Sequence, residues 1–127
     1  MNLQSYMAAS WHEGTGTPVI VNDAISGEPV CGVNSDGIDF AAAVRHAREA
    51  GGNALRAMTF HDRAERLKAM AKHLMGKKED FYALSARTGA TRADGWVDIE
   101  GGIGTVFTYA SLVTREFPND TVMVEGD

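Results

Sequence analysis

This sequence predicts an α/β chain with its strands at the front and its helices behind, on three observations. Short β-branched or apolar runs alternate with glycine-containing breaks over residues 1–36. From Gly37 onward the apolar residues recur at the helical period instead. Capping and breaking residues then stand at the ends of those periodic stretches. The expected division is strands and turns over 1–36, about four helices over 37–118, and the start of a following extended segment over 119–127.

Strands are predicted over Asn2 to Ala8, Pro18 to Asn22 and Pro29 to Val33, with Gly14, Gly16 and Ser26-Gly27 supplying turn geometry. Phe40, Ala43, Val44, Ala47 and Ala50 predict a first helix over Gly37 to Ala50, stopped by Gly51-Gly52. Thr59 followed by Asp62 can cap a second helix, because a hydroxyl accepts from an unpaired amide and an acid suits the first turn. Its apolar stripe is Phe60, Ala64, Leu67, Ala71 and Leu74, and Gly76 breaks it. Lys77 to Thr88 restarts the helix, with Phe81 and Leu84 as anchors and Gly89 as a left-handed stop. Thr91 can cap the last helix, whose stripe is Trp96, Ile99, Ile103, Val106, Ala110, Val113 and Phe117, and Pro118 ends it. Gly95, Gly101, Gly102 and Gly104 inside that helix sacrifice roughly 4 kcal/mol of intrinsic helix stability relative to alanine. A close helix contact, a second subunit or a ligand channel is needed to offset this.

A chain of 127 residues is long enough to form one small domain burying roughly two thirds of its unfolded surface. A formal charge of −5 and a pI near 5.3 argue against nucleic-acid partners. Eleven of the twelve basic residues lie between Arg45 and Arg92 against five acids, a local net charge of +6. Solvated helix faces explain that excess, and a weak steering field for an anionic substrate is the sharper alternative. No signal peptide and no spanning helix is predicted, so a cytoplasmic protein without membrane contact is expected.

The candidate chemistry is sparse. Gly101-Gly102-Ile103-Gly104 invites a phosphate-loop reading, but it follows no strand, carries Phe107 where GxGxxG needs its third glycine, and lacks a following Lys-Ser/Thr. Cys31 lies in a strand-like run with no nearby base or cation to activate it, and reads as a structural cysteine. His12, His46, His61 and His73 lack zinc-ligand spacing, and His46 with Glu49 reads as a solvated pair. Asp98 and Glu100, two apart, should point to different helix faces, which disfavours a shared acid–base site. Asp98 is either structural or near a channel. No catalytic, cofactor-binding or metal-ligating residue is expected within the chain.

The layout from Phe60 to Leu112 resembles the aldehyde dehydrogenase family: a long amphipathic helix, a glycine break, a helix ending in Thr88-Gly89, and a third helix finishing at Tyr109-Ala110. Ser10-Trp11 followed by a glycine turn is similar to the family's opening hairpin, and Asp23 to Glu28 to its usual turn between two strands. Thr88 to Tyr109 most resembles the phenylacetate-degradation bifunctional branch. The resemblance implies the N-terminal part of an aldehyde dehydrogenase fold, with helices covering a Rossmann-like cofactor domain. It also implies a homo-oligomeric parent that oxidises a CoA-linked semialdehyde with NADP or NAD, accompanied in the bifunctional branch by a ring-opening domain. By the same resemblance Gly101, Thr105 and Tyr109 line the substrate tunnel. The family's nucleophile, base and cofactor strands have no counterpart here, so the isolated chain is expected to be inactive and to bind no cofactor. The alternatives are the semialdehyde dehydrogenase of benzoyl-CoA oxidation and a non-catalytic helical interaction module.

Overall fold

A computed structural model describes residues 1–124 and 126 and divides the chain into two compact units, Met1–Asn53 and Ala54–Asp127. The tail of the expected extended segment, at Glu125 and Asp127, lies outside the described residues.

The first unit opens with two antiparallel hairpins. β1 (Ser5–Met7) pairs with β2 (Ser10–His12), placing Tyr6 opposite Trp11 with their ring centroids 5.0 Å apart in an edge-on contact. Their turn is made by Ala8 and Ala9, at φ 48° and 64°, the left-handed pair of a tight hairpin turn that normally selects Asn and Gly. Gly14 and Gly16 stand at the bend between β2 and β3, as expected, without positive φ. Both instead make room, because a Cβ at Gly14 would stand 2.6 Å from the Asn34 carbonyl oxygen and one at Gly16 would strike the Asp36 carboxylate. β3 (Val19–Asn22) and β4 (Pro29–Val33) form the second hairpin, with Val21 opposite Cys31. Its turn is organised by Asp23, whose side chain accepts from Ile25 and Ser26 amides, and by Gly27 at φ 75°.

The first helix differs from expectation at both ends. α1 (Phe40–His46) is capped by Asp39, whose carboxylate accepts from the Ala42 amide at 2.8 Å. Gly51-Gly52 does not stop it: the chain widens through a π-turn at Ala47–Gly51 and continues as α2 (Gly52–Arg56). The predicted stripe is largely uncovered, with Phe40 56% and Val44 49% exposed.

In the second unit Thr59 and Asp62 close a reciprocal capping box at the start of α3 (Phe60–Met75), and Thr91 and Asp94 do the same for α5 (Arg92–Trp96). α4 (Lys78–Ala86) lies between them, followed by Gly89 at φ 84°. α5 runs through a second π-turn, Val97–Gly101, into α6 (Gly102–Glu116). α3 and α6 pack along their lengths, with Ala64, Ala71 and Ala110 buried at the seam. Residues 117–121 fold back over the start of α3: the Phe60 amide donates to the Asp120 carbonyl, His61 Nε2 to the Phe117 carbonyl, and the Phe60 and Phe117 rings meet at a tilt with centroids 5.3 Å apart.

Two predicted anchors are wrong. On α4 the buried residue is Tyr82, while Phe81 is half-buried and Leu84 is 59% exposed. On the last helix Trp96 is 57% exposed and Gly95 is buried in its place. The π-turn is the reason: its extra residue delays every position before it by about 100° of helix rotation, so the inward series is buried Gly95, half-buried Ile99 and buried Ile103 rather than Trp96, Ile99 and Ile103. Gly95 accordingly meets Tyr82 and Ser85, and a Cβ there would stand 3.3 Å from the ring and 3.2 Å from the hydroxyl. No such contact explains Gly102 or Gly104, where a Cβ meets nothing within 4 Å.

Tyr82 also donates through its hydroxyl to Glu100 at 2.9 Å, and Lys78 Nζ donates to the same carboxylate oxygen at 3.2 Å. Arg92 lies over the Tyr82 ring, 4.2 Å from its centroid. The Tyr82 hydroxyl and then Lys78 hold the Glu100 carboxyl below its ordinary range, while burial, followed by the Glu100 bond, pushes the Tyr82 phenol up. With the folded value depressed, the Glu100 contribution is fully present above the unfolded value of 4.5 and is lost as pH falls through the folded value beneath it.

Unfolding in urea should therefore show Glu100→Gln less stable than the parent at neutral pH, with the gap closing in acid below the ordinary glutamate range; a gap independent of pH would contradict the ion pair. In the same assay Gly95→Leu should destabilise by about 1–3 kcal/mol through overpacking against Tyr82. Gly102→Ala should stabilise by about 1 kcal/mol, and equal effects at the two positions would refute this packing.

Candidate functional site

The three residues expected to line a tunnel lie on one exposed side of the last helix. Gly101 closes the π-turn, and Thr105 and Tyr109 follow at successive four-residue steps on α6. All three are exposed, Tyr109 by 62%. The Thr105 hydroxyl donates back to the Gly101 carbonyl at 3.0 Å, and Thr108 does the same to Gly104. Thr105 therefore spends its proton within the helix. The strip is uncharged and free of side-chain bulk at Gly101, which suits it to be a wall rather than a reacting group.

The glycine run is no phosphate cradle. Gly101 to Gly104 lie within continuous helical backbone, with Gly101 and Gly102 both in right-handed helical conformation and no helix start at which free amides could converge. Asp98 and Glu100 face different neighbours, as their spacing predicted. Glu100 turns to Lys78 and Tyr82. Asp98 borders a shallow apolar groove with Leu74, Phe81, Ile99, Gly102 and Val106. The Tyr82–Glu100 bond was not legible in the sequence because its partners sit on separate helices, and only the helix fold brings them together.

Cys31 is a half-buried residue of β4, opposite Val21. Among the described residues no group of three or more His, Cys, Asp or Glu side chains is placed to hold a metal ion. No helix among them is long and apolar enough to cross a membrane.

A 3,4-dehydroadipyl-CoA semialdehyde dehydrogenase of Aromatoleum evansii is 42% identical over 111 residues, 87% of this chain. The chain spans 22% of the length of that relative. Residues 11–126, from the opening hairpin through the last helix and beyond it, match the aldehyde dehydrogenase family, and the chain belongs to that family.

Proposed function

We propose that the chain is the N-terminal segment of a PaaZ-like dehydrogenase that oxidises a CoA-linked semialdehyde of aromatic-acid catabolism to the corresponding acid. The observation that carries this reading is the 42% identity to a CoA-semialdehyde dehydrogenase across 87% of the chain. Aldehyde dehydrogenases use NAD(P) as hydride acceptor, so one aldehyde and one water yield an acid, a reduced nicotinamide and a proton. The dehydroadipyl relative and the phenylacetate-type wording of Thr88 to Tyr109 both favour a long substrate with a CoA thioester at one end and the aldehyde at the other. Gly101, Thr105 and Tyr109 are proposed as one wall of the passage through which it reaches the nucleophile.

The division of labour follows from what these residues can do. A thiol nucleophile needs a base or cation to activate it, and Cys31 has neither in its strand-like run. A dinucleotide site needs a GxGxxG turn between a strand and a helix start, and the turn from β4 to α1 carries Asn34 where the middle glycine of that pattern would stand. The segment therefore contributes shape to the site and leaves the chemistry to other parts of the enzyme.

The test is cofactor reduction by the full-length enzyme and by residues 1–127 alone, using a CoA-linked semialdehyde and a short free aldehyde. The full-length enzyme should favour the CoA-linked substrate in kcat/KM, and the isolated segment should give no turnover and no micromolar NAD or NADP binding by calorimetry. Turnover by the segment that disappears in Cys31→Ala would overturn the proposal. Gly101→Leu in the full-length enzyme should leave its melting temperature unchanged and impair the CoA-linked substrate selectively, because only that one needs the full width of the passage.

A further inference from the structure

We infer that Glu100 is a positioning residue for substrate selection: through Lys78 and Tyr82 it fixes the π-turn at Val97–Gly101 and so sets the rotational phase at which Gly101, Thr105 and Tyr109 are presented. The inference rests on the reading of those three residues as a passage wall.

The argument begins with Tyr82, which touches the last helix at two places. Its ring lies against Gly95, and its hydroxyl donates to Glu100 at 2.9 Å. Those positions are five apart. In an α-helix residues five apart differ by about 140° around the axis and do not share one neighbouring side chain. In a π-turn, whose hydrogen bonds run from i to i+5, they stack on the same side. One tyrosine therefore spans the entry into the turn, with its ring against Gly95, two residues before it, and its hydroxyl on Glu100 within it.

Lys78 adds a second donor to the Glu100 carboxylate at 3.2 Å, so two groups one turn apart on α4 converge on one acceptor. The Lys78 and Glu100 side chains keep only 37% and 24% of their exposure. Arg92, over the Tyr82 ring at 4.2 Å from its centroid, limits its movement. Gly101 directly follows Glu100, so any relaxation of the turn toward α-helix changes the phase between the clamped end and the exposed strip. Neither Glu100 nor Tyr82 lies on that strip, and their influence on it runs through the backbone.

The experiment uses the full-length enzyme, measuring KM and kcat for a CoA-linked semialdehyde and a short aldehyde together with the melting temperature. Glu100→Ala should raise the KM for the CoA-linked substrate on the order of tenfold while leaving the KM and kcat for the short aldehyde unchanged. Glu100→Gln, whose amide oxygen still accepts from Tyr82 and Lys78, should recover most of that loss. Tyr82→Phe, which keeps the ring and removes the hydroxyl, should shift the KM ratio in the same direction as Glu100→Ala, and it carries the comparison if Glu100→Ala does not fold. Equal losses on both substrates, or a Gln variant no better than Ala, would overturn the inference. A Gly101→Leu variant measured in parallel separates the two ideas: an unchanged substrate ratio there defeats the passage wall itself. A changed ratio there with unaffected Glu100 and Tyr82 variants defeats only the positioning role.

Discussion

The second unit depends on how closely α3 and α6 approach, and that distance is set by small side chains. Ala64 and Ala71, two turns apart on α3, and Ala110 on α6 are essentially without solvent exposure. A methyl group is all that fits there, because interiors are packed to crystal-like density and added methylenes must displace a neighbour. Ile103 and the Phe60–Phe117 pair extend the seam toward its ends. Tyr82 then anchors α4 against the π-turn and Gly95.

This seam is a thin core. The buried apolar residues among those described are Ala64, Ala71, Tyr82, Ile103 and Ala110, and none of the large side chains is fully buried. The sequence is long enough to close a domain of its own, yet Leu84, Trp96, Val97 and Tyr109 remain more than half exposed. A self-contained helical module would need a closed core from these elements. Helices with one face packed on each other and another left apolar suit the outer layer of a layered α/β architecture. The uncovered surface thus favours the enzyme-segment reading over the interaction module.

Signals confined to a few neighbouring residues were legible in the sequence. Thr59 with Asp62 and Thr91 cap their helices as inferred, Gly89 adopts the left-handed stop, and the Asp23 to Glu28 run makes a hairpin turn. The π-turns were not legible, because an i to i+5 bond has no compositional signature and Gly51-Gly52 reads as a stop under α-helical rules. That single irregularity displaced the inferred stripe at Trp96. Leu84 failed as an anchor and Tyr82 takes its place beside half-buried Phe81: adjacent positions differ by about 100° on a helix, and only the position of Gly95 shows that the tyrosine faces inward. That Gly101, Thr105 and Tyr109 share one side of the helix followed from their four-residue spacing, because α6 is regular beyond the π-turn; their place in a tunnel wall came from the family resemblance alone.

The return of residues 117–121 over the start of α3 has a consequence for how this part of the chain assembles. The Phe60 amide and the Arg63 guanidinium take carbonyl partners from Asp120 and Thr121, almost sixty positions further along. Contacts of such sequence separation carry loop-closure entropy that must be met before they stabilise anything. The capping box at Thr59 is local and can form while the rest of the chain is still extended. The beginning of α3 is thus built in two stages: a nucleus that needs only four consecutive residues, and a latch that closes only after α6 has been synthesised and docked.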